Sequence, residues 1–226
     1  MSASAISANR LRQRVSLPVA LLLASAAACA RTPTTTGAAP TAPPVTPSAR
    51  GAEASRGMVV SASAIASQAG RDVLAAGGNA VDAAVATGFA LAVTYPTAGN
   101  IGGGGFMVIR MADGRATTID FREKAPAAAR PEMFTDSSGA YSRRVHHNSH
   151  LSVGVPGTVA GFALAHQKYG KQPWKTLVEP AVKLSGDGFD VPAGLAASLS
   201  GSLNRFKTYP ATEAAYFKGG IAYAAG

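Results

Sequence analysis

The chain has 226 residues, 47% hydrophobic and only 15% charged, which excludes wholesale disorder and allows one domain with a sizeable core. Its formal charge of +9 points to a polyanionic partner only until it is divided along the chain. Residues 1–57 carry six Arg against one acid, and the other 169 residues hold 15 basic and 11 acidic side chains, scattered and without interleaved aromatics, which argues against nucleic-acid binding.

Arg10, Arg12 and Arg14 precede an apolar run from Val15 to Ala28 that is too short for a membrane span, so residues 1–29 read as an export signal. Cys29, the single cysteine, follows Ala26-Ala27-Ala28 and is a candidate for lipidation at the first mature residue. The competing reading is an incidental residue beyond an ordinary cleavage site, and Ala26 stands where a lipoprotein box prefers Leu. A single cysteine permits no disulfide within the chain. The expected location is therefore periplasmic or extracellular, with membrane attachment only through a lipid anchor. Residues 30–56, with Pro33, Pro40, Pro43, Pro44 and Pro47 among Thr, Ala, Ser and Gly, read as a tether. The folded region is expected over 57–226.

There, Ile65, Ala69, Val73 and Leu74 share one face of a helix predicted over 63–76, and Gly77-Gly78 supplies its stop. Asn79 is placed to cap a second helix, with Val81, Ala84, Val85, Gly88, Phe89 and Ala92 at helical spacing and Pro96 beyond its end. Phe106 to Met111 reads as a largely buried strand, Asp113-Gly114 as a hairpin turn and Thr117 to Arg122 as the return strand. Helices are predicted over 156–169, stopped by Gly170, over 174–185 with Pro180 inside and Gly186 at the end, and over 194–206. The mixture defines an α/β (α+β) class.

Gly102 to Gly105 suggests a phosphate loop, but no Lys-Ser/Thr follows, no Gly-x-Gly-x-x-Gly register fits, and the run precedes a strand. Close backbone packing is the favoured use of those glycines. His146, His147 and His150 lie close together, yet Arg143 and Arg144 adjoin them and no acid or cysteine completes a ligand set, so a solvated loop is expected and no metal. His166 falls inside a helix and reads as a half-buried structural histidine. Arg122 ends a strand just before Glu123-Lys124-Ala125-Pro126, so a rigid element delivers a guanidinium that could grip a carboxylate with two parallel hydrogen bonds. On side-chain chemistry alone, an ion pair with Asp120 or Glu123 is its favoured use, and no reaction is defined.

Five ordered blocks over about residues 57–192 change that reading: Gly77 to Ala86, Gly99 to Met107, Asp120 to Pro126, Gly154 to Phe162 and Pro180 to Phe189. Together they closely resemble the large subunit of γ-glutamyltransferases. The resemblance implies an N-terminal-nucleophile hydrolase with an αββα sandwich, incomplete over this stretch, made as a precursor that cuts itself into two subunits. A threonine freed by that cut attacks the γ-glutamyl amide of glutathione-like donors and passes the glutamyl group to water, an amino acid or a peptide. The resemblance makes Arg122 the residue that holds the α-carboxylate, and implies no metal and no cofactor. The catalytic threonine is expected beyond Gly226, leaving no catalytic residue here and an inert chain by itself; Thr158, at a helix start, is expected to cap. Two alternatives remain: a relative acting on glutaryl amides of β-lactams or on poly-γ-glutamate, and a non-catalytic anchored binding domain.

Overall fold

Two polar side chains start the first two helices. Ser63 Oγ accepts from Ala66 N at the head of α1 (Ala64–Ala75), and Asn79 Oδ1 accepts from Val81 N and Asp82 N at the head of α2 (Ala80–Thr94). Asp82 returns the favour by accepting from Asn79 N at 2.9 Å, which completes a capping box and satisfies donors the helix itself cannot. Between them the chain reverses at Gly77, whose φ of +89° is costly for any residue with a Cβ. These coordinates are a computed structural model, and they describe residues 51–226. The signal at 1–29, with Cys29, and the tether up to residue 50 lie outside the described residues; residues 51–56 are exposed and carry no helix or strand.

The chain continues as a hairpin, β1 (Phe106–Arg110) and β2 (Ala116–Asp120), antiparallel with Phe106 opposite Asp120 and Ile109 opposite Thr117. Next come a short helix α3 (Arg143–His147), then α4 (Thr158–Tyr169), α5 (Trp174–Asp187), α6 (Ala193–Phe206) and α7 (Pro210–Tyr216), and a small ladder of β3 (Phe217–Lys218) with β4 (Ile221–Ala222). No described helix is long and apolar enough to cross a membrane.

The core centres on α2. Val85, Ala86 and Phe89 pack with Val73 of α1, Phe162 of α4, and Leu177 and Ala181 of α5. Phe89 meets Phe162 and Trp174 edge to face at 5.3 and 5.5 Å. A second cluster, Val81, Ile109, Ile119 and Ala165, fastens the hairpin onto α2 and α4. Phe121, one residue past β2, touches both clusters.

Three expectations are corrected. Strand β1 is not largely buried: Ile109 faces the helices, while Phe106 and Val108 are 64% and 78% exposed, because helices cover only one face of this sheet. The fold class itself stands as expected, an incomplete sandwich of which the described residues supply one helical layer on one face of the β1–β2 sheet. The buried face of α1 is Ala66, Ala69, Gly70 and Val73, with Ile65 and Leu74 of the expected face only half-buried; α2 approaches most closely at Gly70, where an added Cβ would strike Thr87. Finally, α5 runs through Gly186 and ends at Gly188, which takes the left-handed φ of +85°.

Candidate functional site

A strand places successive side chains on opposite faces, and that period continues past β2. Ile119 is buried and Asp120 exposed; Phe121 then turns inward and Arg122 outward. The ladder also continues one step, with Phe121 N donating to Gly105 O at 3.0 Å and Gly105 N donating to Phe121 O at 3.4 Å. Beyond it, Lys124 and Val155 exchange backbone hydrogen bonds at 3.3 and 2.8 Å. Arg122 thus stands on a backbone tied on both sides.

Its own N–H donates to Asp120 Oδ1 at 3.0 Å. That contact settles half of the competing ion-pair reading: Asp120 engages the backbone of Arg122 and not its guanidinium. The other half is realised, with Arg122 Nε 3.5 Å from Glu123 Oε2, but the two side chains are 64% and 37% exposed. An exposed pair at that distance contributes at most about 1 kcal/mol. The guanidinium also lies 5.9 Å from the centre of the Phe106 ring, on the bare face of the hairpin. A depression of about 250 Å³ adjoins it, lined by Arg122, Lys124, Val155, Pro156, Ala160 and Leu164 among others. The lining also includes one acid, Asp120, whose carboxylate already accepts from the Arg122 N–H; the two cations beside a largely apolar wall suit a small ligand carrying a carboxylate.

The remaining candidates fall elsewhere. The glycine run serves backbone packing, as its composition suggested: Gly103 O accepts from Gly157 N at 2.8 Å and from Thr158 N at 3.0 Å at the start of α4. Thr158 is 5% exposed and is the first residue of α4; Gly157 holds the cap position, and the hydroxyl makes no capping bond, contrary to expectation. His146 is on the short α3, not in a loop, stacked on Phe134 and His147 with Nδ1 2.9 Å from the Tyr141 hydroxyl. Among the described residues no three His, Cys, Asp or Glu side chains converge as metal ligands. His166 is half-buried in α4, bonded through Nε2 to Gln172 O at 2.7 Å and tilted against Trp174.

Asp82, in contrast, is fully buried, and besides capping α2 it accepts from Lys171 N at 3.0 and 3.1 Å, joining the start of α2 to the turn between α4 and α5. Sequence reasoning overlooked Asp82 beyond its membership of the block from Gly77 to Ala86, and it overlooked Phe121 and Gly157 beyond theirs. The Asn-x-x-Asp spacing of a capping box was the available signal for the first, and the two-residue period continued past the strand end for the second.

Helices packed on one face of a hairpin, with an arginine at its end, belong here to the N-terminal-nucleophile hydrolase fold. The crystal structure of Helicobacter pylori gamma-glutamyltranspeptidase superposes with a TM-score of 0.74 at 43% identity, over 77% of this chain and 50% of that one. The gamma-glutamyltranspeptidase family model matches residues 66–226, and the chain belongs to that family. It is 54% identical over 166 residues to the glutathione hydrolase proenzyme of Escherichia coli (strain K12), covering 70% of this chain and 29% of that protein. The Bacillus subtilis (strain 168) glutathione hydrolase proenzyme is 47% identical over 148 residues, covering 64% of this chain and 25% of that protein. The chain thus spans under a third of the curated relatives it matches and about half of the solved one.

Proposed function

We propose that this chain contributes the substrate-gripping part of an enzyme that hydrolyses or transfers the γ-glutamyl group of glutathione-like donors, with water, an amino acid or a peptide as acceptor. The observation that carries the proposal is Arg122, a guanidinium held out on a fixed backbone with one loose, exposed partner. In this reading its fork receives the donor's α-carboxylate. Lys124 beside it adds positive potential, and the apolar wall from Val155 to Leu164 lies along the methylenes. Membership of a family whose relatives are named glutathione hydrolase proenzymes supports the donor class. The acyl chemistry belongs to an N-terminal threonine freed by cleavage of a two-subunit precursor, whose hydroxyl attacks the amide while its own amino group takes the proton. None of the described threonines is assigned that role; Thr158 is buried inside continuous chain.

The test is Arg122→Ala and Arg122→Lys in the protein made from its complete coding sequence, assayed with a γ-glutamyl anilide. Loss of a charge-assisted, two-pronged contact worth about 1.5–3 kcal/mol raises KM roughly tenfold to a hundredfold, and lysine does not restore it. An unchanged KM overturns the clamp. A glutaryl anilide keeps the carboxylate and lacks the α-amino group, so equal turnover of the two anilides would move the reading to an amide acylase.

The location is part of the same proposal: export through residues 1–29 and acylation of Cys29 after cleavage. Mass spectrometry of the mature protein decides it, an acylated chain starting at Cys29 supporting the anchor and an unmodified later start removing it.

A further inference from the structure

The side chain of Arg122 has little to hold it, whereas the backbone beneath it is crowded. A Cβ added to Gly157 would run into the Phe121 carbonyl and lie 3.2 Å from Arg122 O. A Cβ on Gly104 would lie 2.5 Å from Phe121 O, 2.7 Å from Glu123 N and 2.9 Å from the Arg122 carbonyl carbon. On the inner side, a Cβ on Gly161 would strike the Phe121 ring, which meets Phe162 edge to face at 5.8 Å. Three stretches of chain therefore meet at Phe121 with no side chain between them: the glycine run, the end of β2 and the start of α4. They are stapled to one another through Gly103 O, which takes the N–H groups of both Gly157 and Thr158, and through the Gly105–Phe121 pair.

We infer that Phe121, with Gly157 and Gly104 closed on its carbonyl, is the positioning element of the substrate clamp: it fixes the backbone from which Arg122 reaches the donor's carboxylate. Neither Phe121 nor either glycine touches the ligand. The inference rests on the reading of Arg122 as that clamp. Its physical basis is division of labour along a two-residue period. The inward Phe121 is locked between two apolar clusters, so the outward Arg122 inherits a fixed origin without having to be buried. A guanidinium left exposed is accessible to a ligand, and its backbone fixes the point from which the side chain reaches.

A double-mutant cycle tests this in the protein made from its complete coding sequence. The cycle combines Phe121→Leu, Gly157→Ala and Gly105→Ala, each separately, with Arg122→Ala. Gly105→Ala is the mild member, since its added methyl lies 3.1 Å from the edge of the Phe121 ring and needs only a small displacement, so it keeps the test alive if Gly157→Ala does not fold. With Arg122 present, each substitution is expected to raise KM for the γ-glutamyl anilide, by about tenfold or more for Phe121→Leu and Gly157→Ala, while kcat changes by less than about threefold. In the Arg122→Ala background the same substitutions change KM by less than about twofold. An equal loss with and without Arg122, or a loss confined to kcat, overturns the positioning role and leaves the clamp intact. If Arg122→Ala alone leaves KM unchanged, it is the clamp that fails.

Discussion

Two charged residues at the ends of neighbouring elements have opposite fates. Asp82, at the start of α2, is fully buried and accepts from Asn79 N and Lys171 N. Arg122, past the end of β2, keeps 64% of its side chain exposed and has one ion-pair contact, at 3.5 Å. A buried carboxylate survives because its lone pairs are filled by donors that the fold has already ordered. An exposed guanidinium on a fixed backbone has capacity left over, and that surplus is what a ligand can use. Charge committed to the fold and charge held in reserve are told apart by their partners, not by residue type.

The largest expected effect breaks the first half of this comparison. Asp82→Ala removes the return half of the α2 capping box and leaves the Lys171 N–H without its acceptor, at a cost of about 2–4 kcal/mol read as a fall in the thermal or urea midpoint. KM of whatever folded protein remains should stay near its original value. A wild-type midpoint would show that Asp82 is dispensable to the fold.

Thr87 sharpens the same half from the other side. Its hydroxyl is buried against Gly70 of α1 and is the one buried side-chain polar atom among the described residues without a hydrogen-bond partner. Thr87→Val removes an unsatisfied group at nearly constant shape, so the midpoint should rise, by about 1 kcal/mol in stability. A fall would mean that the hydroxyl has a partner after all.

Arg122→Ala probes the second half. A residue whose side chain contributes only an exposed pair should change stability by no more than about 0.5 kcal/mol, even as substrate KM rises. Strong destabilisation would move Arg122 into the framework group with Asp82.

The smallest effect concerns the hairpin turn. Asp113 accepts from Arg115 Nε at 2.7 Å and from Arg115 N at 3.0 Å, and the Arg115 contacts, the side-chain one foremost, hold its carboxyl below the usual carboxylate range. Because the folded form binds its proton less readily than the unfolded one, this contribution is present above the ordinary carboxylate titration and is lost as pH falls through the lowered one. An NMR titration should find a depressed Asp113 midpoint, with the amides of the turn at Arg115 shifting in step; an ordinary midpoint would remove the contact.

Much of the fold was legible because local chemistry decides it. Asn79, Gly77 and Gly170 mark helix ends through capping and backbone freedom, and Asp113-Gly114 marks the hairpin. Boundaries of this kind need only neighbours in sequence. The glycine run was read as packing because no phosphate-binding register fits it, and Gly103 O proves to bind the start of α4. The two short strands after α7 escaped notice, since two residues each are too few to display a period.

By itself, then, the sequence determined the order of the five longer helices and the hairpin, the family through its spaced blocks, and Arg122 as the residue to examine, while the short α3 and α7 were not foreseen. It could not decide between an ion pair and a clamp, because Asp120, Glu123 and a ligand's carboxylate are equivalent acceptors in one dimension. Tertiary structure decided that Asp120 holds the Arg122 backbone, that Glu123 lies at a loose 3.5 Å, and that Phe121 is half-buried where three stretches of chain converge. The physical reason is that partners such as Gly157, more than thirty residues from Phe121, are brought close only by the packing of α4 on α2 and the hairpin, which no local preference encodes.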